Sequence, residues 1–462
     1  MNLARVFECI TYNVPSSAFR ERHLETKLKI TEKDFPRAKP RLTRNQVRSF
    51  WAAWGGWTMD GMDSFIYSLV LVPALTELLP RSGIAATTAN VGFYGSIFFA
   101  LFMIGYGTAL IWGPIADRFG RVRTMMFSIL CFSVFTLLCA FATGILSLAI
   151  FRFMAGVGIG GEWSVGAALV SEDWPEERRA MGGALMHTGY YIGFFFAAVA
   201  NLFIGSHYGW RYMFALGGLP ALLIGLIRNN VQEPARWQGK VRELGGKWTM
   251  HRAFLKLFSP QYRRRTIVNS MYLIVSLCGI WAGSVYAPTA MTYIAERSGK
   301  SASQAALLAS YSTGLLAMAT VLGALIVPFL ADWLGRRATL AIFYTIMMFA
   351  VWLAFGHVFY MQRNAIEWFL VCSVLLGIGG ANFIVYSFWL PEQYSTECRA
   401  SAFAFITNFG RFTSAAFTFM VGAGIRHMQT VGIPVAMTAL AFVVGLALVP
   451  FGEETKGQRL PA

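Results

Sequence analysis

Charge is what this 462-residue sequence has least of: only 13% of its residues are Asp, Glu, Lys or Arg, against roughly a quarter in soluble domains. That leaves too little polar surface for water, so a large soluble domain is excluded. Metal-ligand spacings are missing too. Six cysteines (Cys9, Cys131, Cys139, Cys278, Cys372, Cys398) are scattered along the chain, most of them in apolar stretches, and read as small buried hydrophobes. There is no phosphate-cradling GxxxxGK[ST] loop, no HExxH and no GxSxG, so nucleotide, zinc-protease and serine-hydrolase chemistry have no foothold. No cofactor and no metal are expected, and no enzyme activity. The alternation of polar and apolar residues that a membrane β-barrel requires is also absent.

What is abundant is oil. Hydrophobic residues make up 56% of the chain, and they gather in runs near the length of about 20 residues that spans a bilayer as a helix. Twelve such runs occupy 49–75, 89–112, 123–143, 146–169, 181–205, 210–228, 266–292, 304–330, 338–357, 366–390, 400–424 and 431–451. The expected fold is an all-α integral membrane protein with twelve transmembrane helices. A polar extension (1–48) precedes six spans (49–228), a basic linker (229–265) separates them from six more (266–451), and a short tail (452–462) follows.

The net charge of +16 raises nucleic acid as a partner, and the placement of the charge excludes it. Of 39 Lys and Arg, only Arg81, Arg297, Lys300, Arg363 and Arg426 lie in one set of alternate loops, and Arg152, Arg211 and Arg411 lie within spans or at their edges. The rest fill the termini, the linker and the other loops. That asymmetry places both termini in the cytoplasm of a multi-pass cell-membrane protein, the inner membrane if the source is bacterial. The first 48 residues hold 11 basic residues and no apolar core; they read as a cytoplasmic extension, part of it an amphipathic surface helix, and not as a signal peptide.

The two groups of spans also repeat each other. "ADRFGRVRT" at 116–124 returns as "ADWLGRRAT" at 331–339, "EDWPEERRA" at 172–180 as "EQYSTECRA" at 392–400, and "GIGG" at 158–161 again at 377–380. Glu233 and Glu453 make a further pair after the sixth and twelfth spans. A tandem duplication of a six-helix unit gives two pseudo-symmetric bundles that can rock about a central cavity.

In these features the chain resembles the major facilitator superfamily of secondary transporters. "GPIADRFGRVRT" (113–124) is similar to that family's loop between the second and third helices, and "FRFMAGVGIGG" (151–161) to its fourth-helix signature. The resemblance implies a conformational latch centred on Asp117, with Gly113, Arg118, Gly120 and Arg121, and a second copy at Asp332 and Arg336 in which Pro328 replaces the first glycine. "VQEPARW" (231–237) and "EETKGQ" (453–458) look like the helix-end motifs of sugar porters. "DGMDSFIYSLVL" (60–71) looks like the metabolite–proton symporter branches, which carry sialic acid, aromatic acids and other organic acids.

A charged side chain at the bilayer centre costs roughly 2.5–3.5 kcal/mol on insertion scales, so such residues face cavities and pair. At about 1.5 Å of rise per residue, Asp60 and Asp63 (first span), Arg152 (fourth) and Arg411 (eleventh) converge near the midplane. Glu162 and His187 share a level nearer the inner mouth. Desolvation favours a protonated carboxylate and a nearby arginine favours an ionised one, so Asp60, Asp63, Glu162 and His187 are the candidate proton carriers. Arg152 or Arg411 presents a planar fork to an anionic substrate, with Asn382, Asn408, Tyr286 and Tyr386 as further lining residues. Asn201, Asn269, Tyr190, Trp281 and Trp389 are other polar or aromatic candidates. An Asp bonded permanently to Arg152 is the structural alternative. The expected function is proton-coupled symport of a small organic anion by a monomer in the lipid bilayer; transport of a neutral sugar or polyol, and drug efflux by proton antiport, are the alternatives.

Overall fold

A computed structural model describes residues 42–461, apart from residues 87, 245–249 and 429 and the side chains of some further helix residues. Most of the expected extension (1–48), including its amphipathic helix, lies outside the described residues. Thr43 opens the first helix. Its hydroxyl accepts the Gln46 N–H at 3.3 Å while the Gln46 side chain accepts the Thr43 N–H at 2.8 Å. This reciprocal capping box satisfies two otherwise orphaned donors and starts α1 (Arg44–Arg81).

Further long helical stretches follow: α2 (88–119, with a 3-10 turn at Ala109–Ile111), α3 (Arg121–Cys139), α4 (Ile145–Asp173), α5 (179–208), α6 (210–230), α7 (Arg263–Arg297), α8 (Ala302–Leu334), α9 (Arg336–Tyr360), α10 (Ala365–Gln393), α11 (Arg399–Met428) and α12 (Gly432–Phe451). Two short helices, Ala235–Leu244 and Met250–Lys256, lie between α6 and α7. No strand occurs among the described residues. Among the described residues six helices are long and apolar enough to cross a membrane by length and composition alone: α3, α4, the Leu308–Leu334 part of α8, α9, α10 and α12. Helices suit that setting because every interior N–H and C=O is bonded within the segment.

The described residues, 42–461, belong to one compact unit. Within it α1 packs on α4 and α5, and α4 on α2 and α3. The two halves meet where α2, α4 and α5 touch α8, α10 and α11. The glycines of "GVGIGG" explain how α4 sits so deep. Gly156 faces the backbone of Phe102 and Tyr106 on α2, and Gly158 faces Phe132 on α3, with no room for a methyl group at either position. Small residues of this kind let helix backbones approach closely where lipid supplies no hydrophobic drive.

The duplication is visible in local geometry. α4 breaks at Gly160 and α10 at Ala381, both with φ −64° and ψ −8°. Gly120 joins α2 to α3 at φ +114°, and Gly335 joins α8 to α9 at φ +97°. At each turn a distant carboxylate caps the next helix and lies against the glycine's bare Cα. Glu233 accepts the N–H groups of Arg121 (2.8 Å), Val122 (3.1 Å) and Arg123 (3.1 Å). Glu454 accepts those of Arg336 (2.9 Å) and Arg337 (3.1 Å). A negative charge at a helix N-terminus is favoured by the dipole and by the free N–H groups. The counterpart of Glu233 is therefore Glu454, one residue beyond the expected Glu453, which is ion-paired with Arg265. The register slips because the second copy carries one more residue between its motifs.

Gly120→Ala is expected to lower the melting temperature of the purified protein much more than Gly209→Ala. Both have positive φ (+114° and +90°), a strain of about 1–3 kcal/mol for a side chain. A Cβ at 209 meets nothing within 4 Å, whereas one at 120 displaces Glu233.

Candidate functional site

The first half brings four charges together inside the bundle. Asp60 and Asp63 on α1, with Arg152 and Glu162 on α4, are all at most 1% exposed. Three residues apart on one helix, Asp60 and Asp63 point to the same side, yet their surroundings differ. Both oxygens of Asp63 lie 3.5 Å from the two terminal nitrogens of Arg152. That guanidinium is also walled by the rings of Tyr67 (4.5 Å), Phe102 (4.9 Å) and Phe214 (5.4 Å). The pair is enclosed. Asp60 accepts only a long 3.4 Å bond from Ser64 on Oδ1, and its Oδ2 has no hydrogen-bond partner among the described residues. The charges that act on it are those of Arg411, Glu162 and Asp63.

Arg411 comes from the other half, on α11. It donates to Asn408 Oδ1 at 2.7 Å and to the Tyr106 hydroxyl on α2 at 2.9 Å. Its guanidinium stacks 3.8 Å above the Tyr106 ring and 5.8 Å from Trp163. Trp163 itself crosses between the halves: it stacks on Phe383 (5.7 Å), meets Phe403 edge-on (5.2 Å) and donates Nε1–H to the Ser387 hydroxyl (3.0 Å).

Glu162 and His187 lie in the same layer as Trp57. One Glu162 oxygen presses on the bare Cα of Gly56, Ser128 is its polar neighbour, and neither oxygen has a hydrogen-bond partner among the described residues. The His187 ring stands 5.9 Å from Trp57 and 5.2 Å from Trp163. Tyr190 stacks on Trp57 at 4.8 Å. Other candidates lie apart. Asn382 donates to Gly379 O of its own helix. The Tyr386 hydroxyl is bound to Ser276 (2.8 Å) and Tyr344 (2.7 Å) within the second half. Tyr286 is half-buried. Asn269 pairs with Gln393, and Trp389 stacks on Tyr272. The Trp281 side chain lies outside the described residues.

A second layer of charge joins the halves at the end of the bundle where α2 meets α11; we refer to this as the latch face. Asp117 makes an ion pair with Arg121 at 3.0 Å, and it also accepts from Ala400 N (3.2 Å), Ser401 N (2.8 Å) and Ser401 Oγ (2.5 Å) at the start of α11. One half's carboxylate thus caps the other half's helix. Gly113 lets α11 come close enough: a Cβ there would sit 2.6 Å from Ala400 O and 2.7 Å from Ala404 Cβ. Arg121 also binds Glu172 (2.9 Å) and Thr396 O (2.7 Å), and Arg399 of α11 binds the same Glu172 at 2.6 Å. The second copy is built alike within its half, with Arg336 on Glu392 at 3.0 Å. Among the described residues it reaches across through Arg179, 3.8 Å from Glu392. Asp332, 48% exposed at its side chain, is paired with Arg336, and Arg118 packs on Phe119.

Sequence reasoning singled out the loop motif but not Glu172, Arg179, Glu392 and Arg399, which carry the cross-half ion pairs. Their signal was the repeat "EDWPEERRA"/"EQYSTECRA", which placed an acid and an arginine at matching positions. Tyr106 and Trp163 had no comparable signal, because aromatic residues in an apolar span look like core or interface.

The model of the Major Facilitator Superfamily matches residues 53–418 of this chain. A probable 4-methylmuconolactone transporter of Cupriavidus pinatubonensis is 28% identical, over 89% of this chain and 91% of its own length. A niacin transporter of Acinetobacter baylyi is 26% identical, over 89% and 94%. Among solved structures, a proton:xylose symporter bound to 6-bromo-6-deoxy-D-glucose superposes with a TM-score of 0.74 at 19% identity, over 90% of this chain and 98% of its own; that likeness is one of fold.

Asp117 lies beyond the expected second span, and burial pushes its carboxyl up from 3.8 to about 6, against the opposing pull of Arg121 and Ser401. A group whose value is raised in the joined state binds its proton more tightly there than in water. Protonation therefore favours the joined latch, fully below about 3.8 and no longer as pH rises past about 6. Spin-label distances across the latch face are expected to show the separated population growing between about pH 4 and 6 and levelling off above that. Asp117→Asn is expected to flatten that part of the dependence.

Proposed function

The chain belongs to the Major Facilitator Superfamily, a family of membrane transporters, and on that footing we propose that it carries a small organic acid, preferentially an aromatic carboxylate, together with a proton by alternating access. Lys and Arg asymmetry supports a cytoplasmic latch face. The described conformation, joined across that face, is then the one closed to the cytoplasm.

The single observation that carries this reading is Arg411, a buried guanidinium stacked on Tyr106 whose charge acts on Asp60 of the other half, a buried carboxylate with Oδ2 lacking a hydrogen-bond partner among the described residues. Guanidinium presents a fixed fork that matches a carboxylate in two bonds. Beside it, Tyr106, Trp163 and Phe383 offer faces for a planar ring; offset stacking of that kind contributes about 0.5–1.5 kcal/mol beyond area burial. Niacin, named for one relative, is a planar ring with a carboxylate. The mechanism is competition for Arg411. With the site empty, Asp60 is the carboxylate on which the charge of Arg411 acts. An arriving substrate carboxylate takes over the guanidinium, and a lone buried carboxylate is too costly to keep ionised. Asp60 then takes a proton, and the neutralised pair of cargoes travels as the halves rock. Glu162 and His187, one layer closer to the latch, pass the proton onward.

Arg152 and Asp63 take the structural role in this scheme. Their enclosed pair is a fixed post between α1 and α4, and loss of one partner from a buried pair costs about 3–5 kcal/mol.

The test is uptake into proteoliposomes of a panel of aromatic and aliphatic acids and neutral sugars, with and without an inward proton gradient. Uptake of the aromatic acids is expected to rise with outside acidity. Inhibition by neutral sugars alone would contradict the reading. Asp60→Asn is expected to abolish accumulation against a gradient while leaving the melting temperature within a few degrees of wild type. Asp63→Asn is expected to lower the melting temperature sharply.

A further inference from the structure

Past α12 the chain does not leave the protein. It turns at Gly452 and runs across the latch face as an irregular strap, residues 452–461. Trp389 Nε1 donates to Glu453 O (2.9 Å), the Glu454 carboxylate caps α9, and Lys456 Nζ donates to Trp333 O (2.8 Å). Thr455 and Leu460 are buried, at 2% and 6% exposure. Those contacts fasten the strap to the second half.

Two others do something different, because the side chains they hold, Glu392 and Arg399, make ion pairs with the first half. The Thr455 hydroxyl donates to Glu392 Oε2 at 2.5 Å. That oxygen also accepts Arg336 Nε at 3.1 Å, while the other, Oε1, accepts Arg336 Nη2 at 3.0 Å and lies 3.8 Å from Arg179 of the first half. Arg399 donates through one terminal nitrogen to Glu172 of the first half, through the other to the Pro461 carbonyl at 2.9 Å, and through Nε to Pro391 O at 2.9 Å. The strap therefore takes up hydrogen-bonding capacity that the cross-half ion pairs leave over. A long charged side chain loses rotamer freedom when it forms an ion pair; one already held at its back loses less. The first half lacks the device at the aligned place. The residues after its capping Glu233 are Pro234 and Ala235, which have no side-chain donor, whereas Thr455 follows Glu454.

We propose that the strap is a positioning element of the latch, in which Thr455 and the Pro461 carbonyl hold Glu392 and Arg399 in the rotamers that meet Arg179 and Glu172, biasing the halves towards the joined state. The proposal rests on the alternating-access reading above. It assigns the strap no contact with the transported molecule.

The test measures spin-label distances between Glu177→Cys and Arg264→Cys, two exposed positions on opposite halves, in the full chain in lipid nanodiscs with its native cysteines replaced by alanine. Thr455→Val keeps the shape and removes the donor; the separated population is expected to rise at least threefold. Thr455→Ser restores the hydroxyl and is expected to return the ratio to the wild-type value. Removal of residues 459–462, which takes away the Pro461 carbonyl, is expected to shift the ratio in the same direction as the valine. An unchanged ratio in Thr455→Val with only a lowered melting temperature would overturn the proposal, as would a serine variant that behaves like the valine. One unvarying distance in the wild type, with and without a pH gradient and benzoate as probe, would instead overturn the alternating-access reading beneath it.

Discussion

A charge taken out of water has to find its counter-charge inside the protein, and in this molecule two of those counter-charges belong to opposite halves. The charge of Arg411 acts on Asp60 near the centre, and Asp117 with the start of α11, and Glu172 with Arg399, meet at the latch face. Everything else follows from that constraint. Helices must come close enough for the charges to meet, so glycine stands at 113, 156 and 158, where α11, α2 and α3 leave no space for a side chain. Helix starts near the latch must be capped by acids, so Glu233 and Glu454 occupy the ground that Gly120 and Gly335 leave open.

Two layers of cross-half charge give the molecule two separable tasks. The latch layer is richly bonded: Arg121 and Glu172 share two hydrogen bonds, and Arg399 and Thr396 complete the cluster. Among its described residues Arg179 is the exception, with Nε and Nη2 lacking hydrogen-bond partners. The central layer is poorly bonded, with Asp60 Oδ2, both Glu162 oxygens and His187 Nδ1 lacking hydrogen-bond partners among the described residues. Buried polar groups are nearly always satisfied in folded proteins, and the exceptions gather where function needs them. The proposed cycle uses that contrast. The saturated layer holds a state; the unsaturated layer exchanges a proton and a carboxylate.

Much of this was legible in the sequence. The apolar runs gave the helices, and helix rise alone put Asp60, Asp63, Arg152 and Arg411 near one depth. Depth does not give azimuth, however. Nothing in the spacing said that Asp63 would close on Arg152 while Asp60 turned to Arg411, because one residue's rotation about a helix is set by packing against neighbours. The same limit explains Asn382 and Tyr386, whose polar groups are bonded within the second half. The latch motif was legible as a motif, but nothing in it showed which carboxylate would cap the helix that follows. That task falls to Glu233, more than a hundred residues away, and Asp117 caps a helix of the other half. Such long-range exchanges of partner have no local signature.

The account turns on a single exchange at the centre, in which a substrate carboxylate replaces Asp60 beside Arg411 and Asp60 takes up a proton. Proton uptake on substrate binding measures that step directly, by titrating weakly buffered purified protein near pH 7 with benzoate and a pH indicator. The account predicts about one proton taken up per benzoate bound, and none in Asp60→Asn although benzoate still binds. Binding of benzoate without proton uptake in the wild type, or with undiminished uptake in Asp60→Asn, would contradict it.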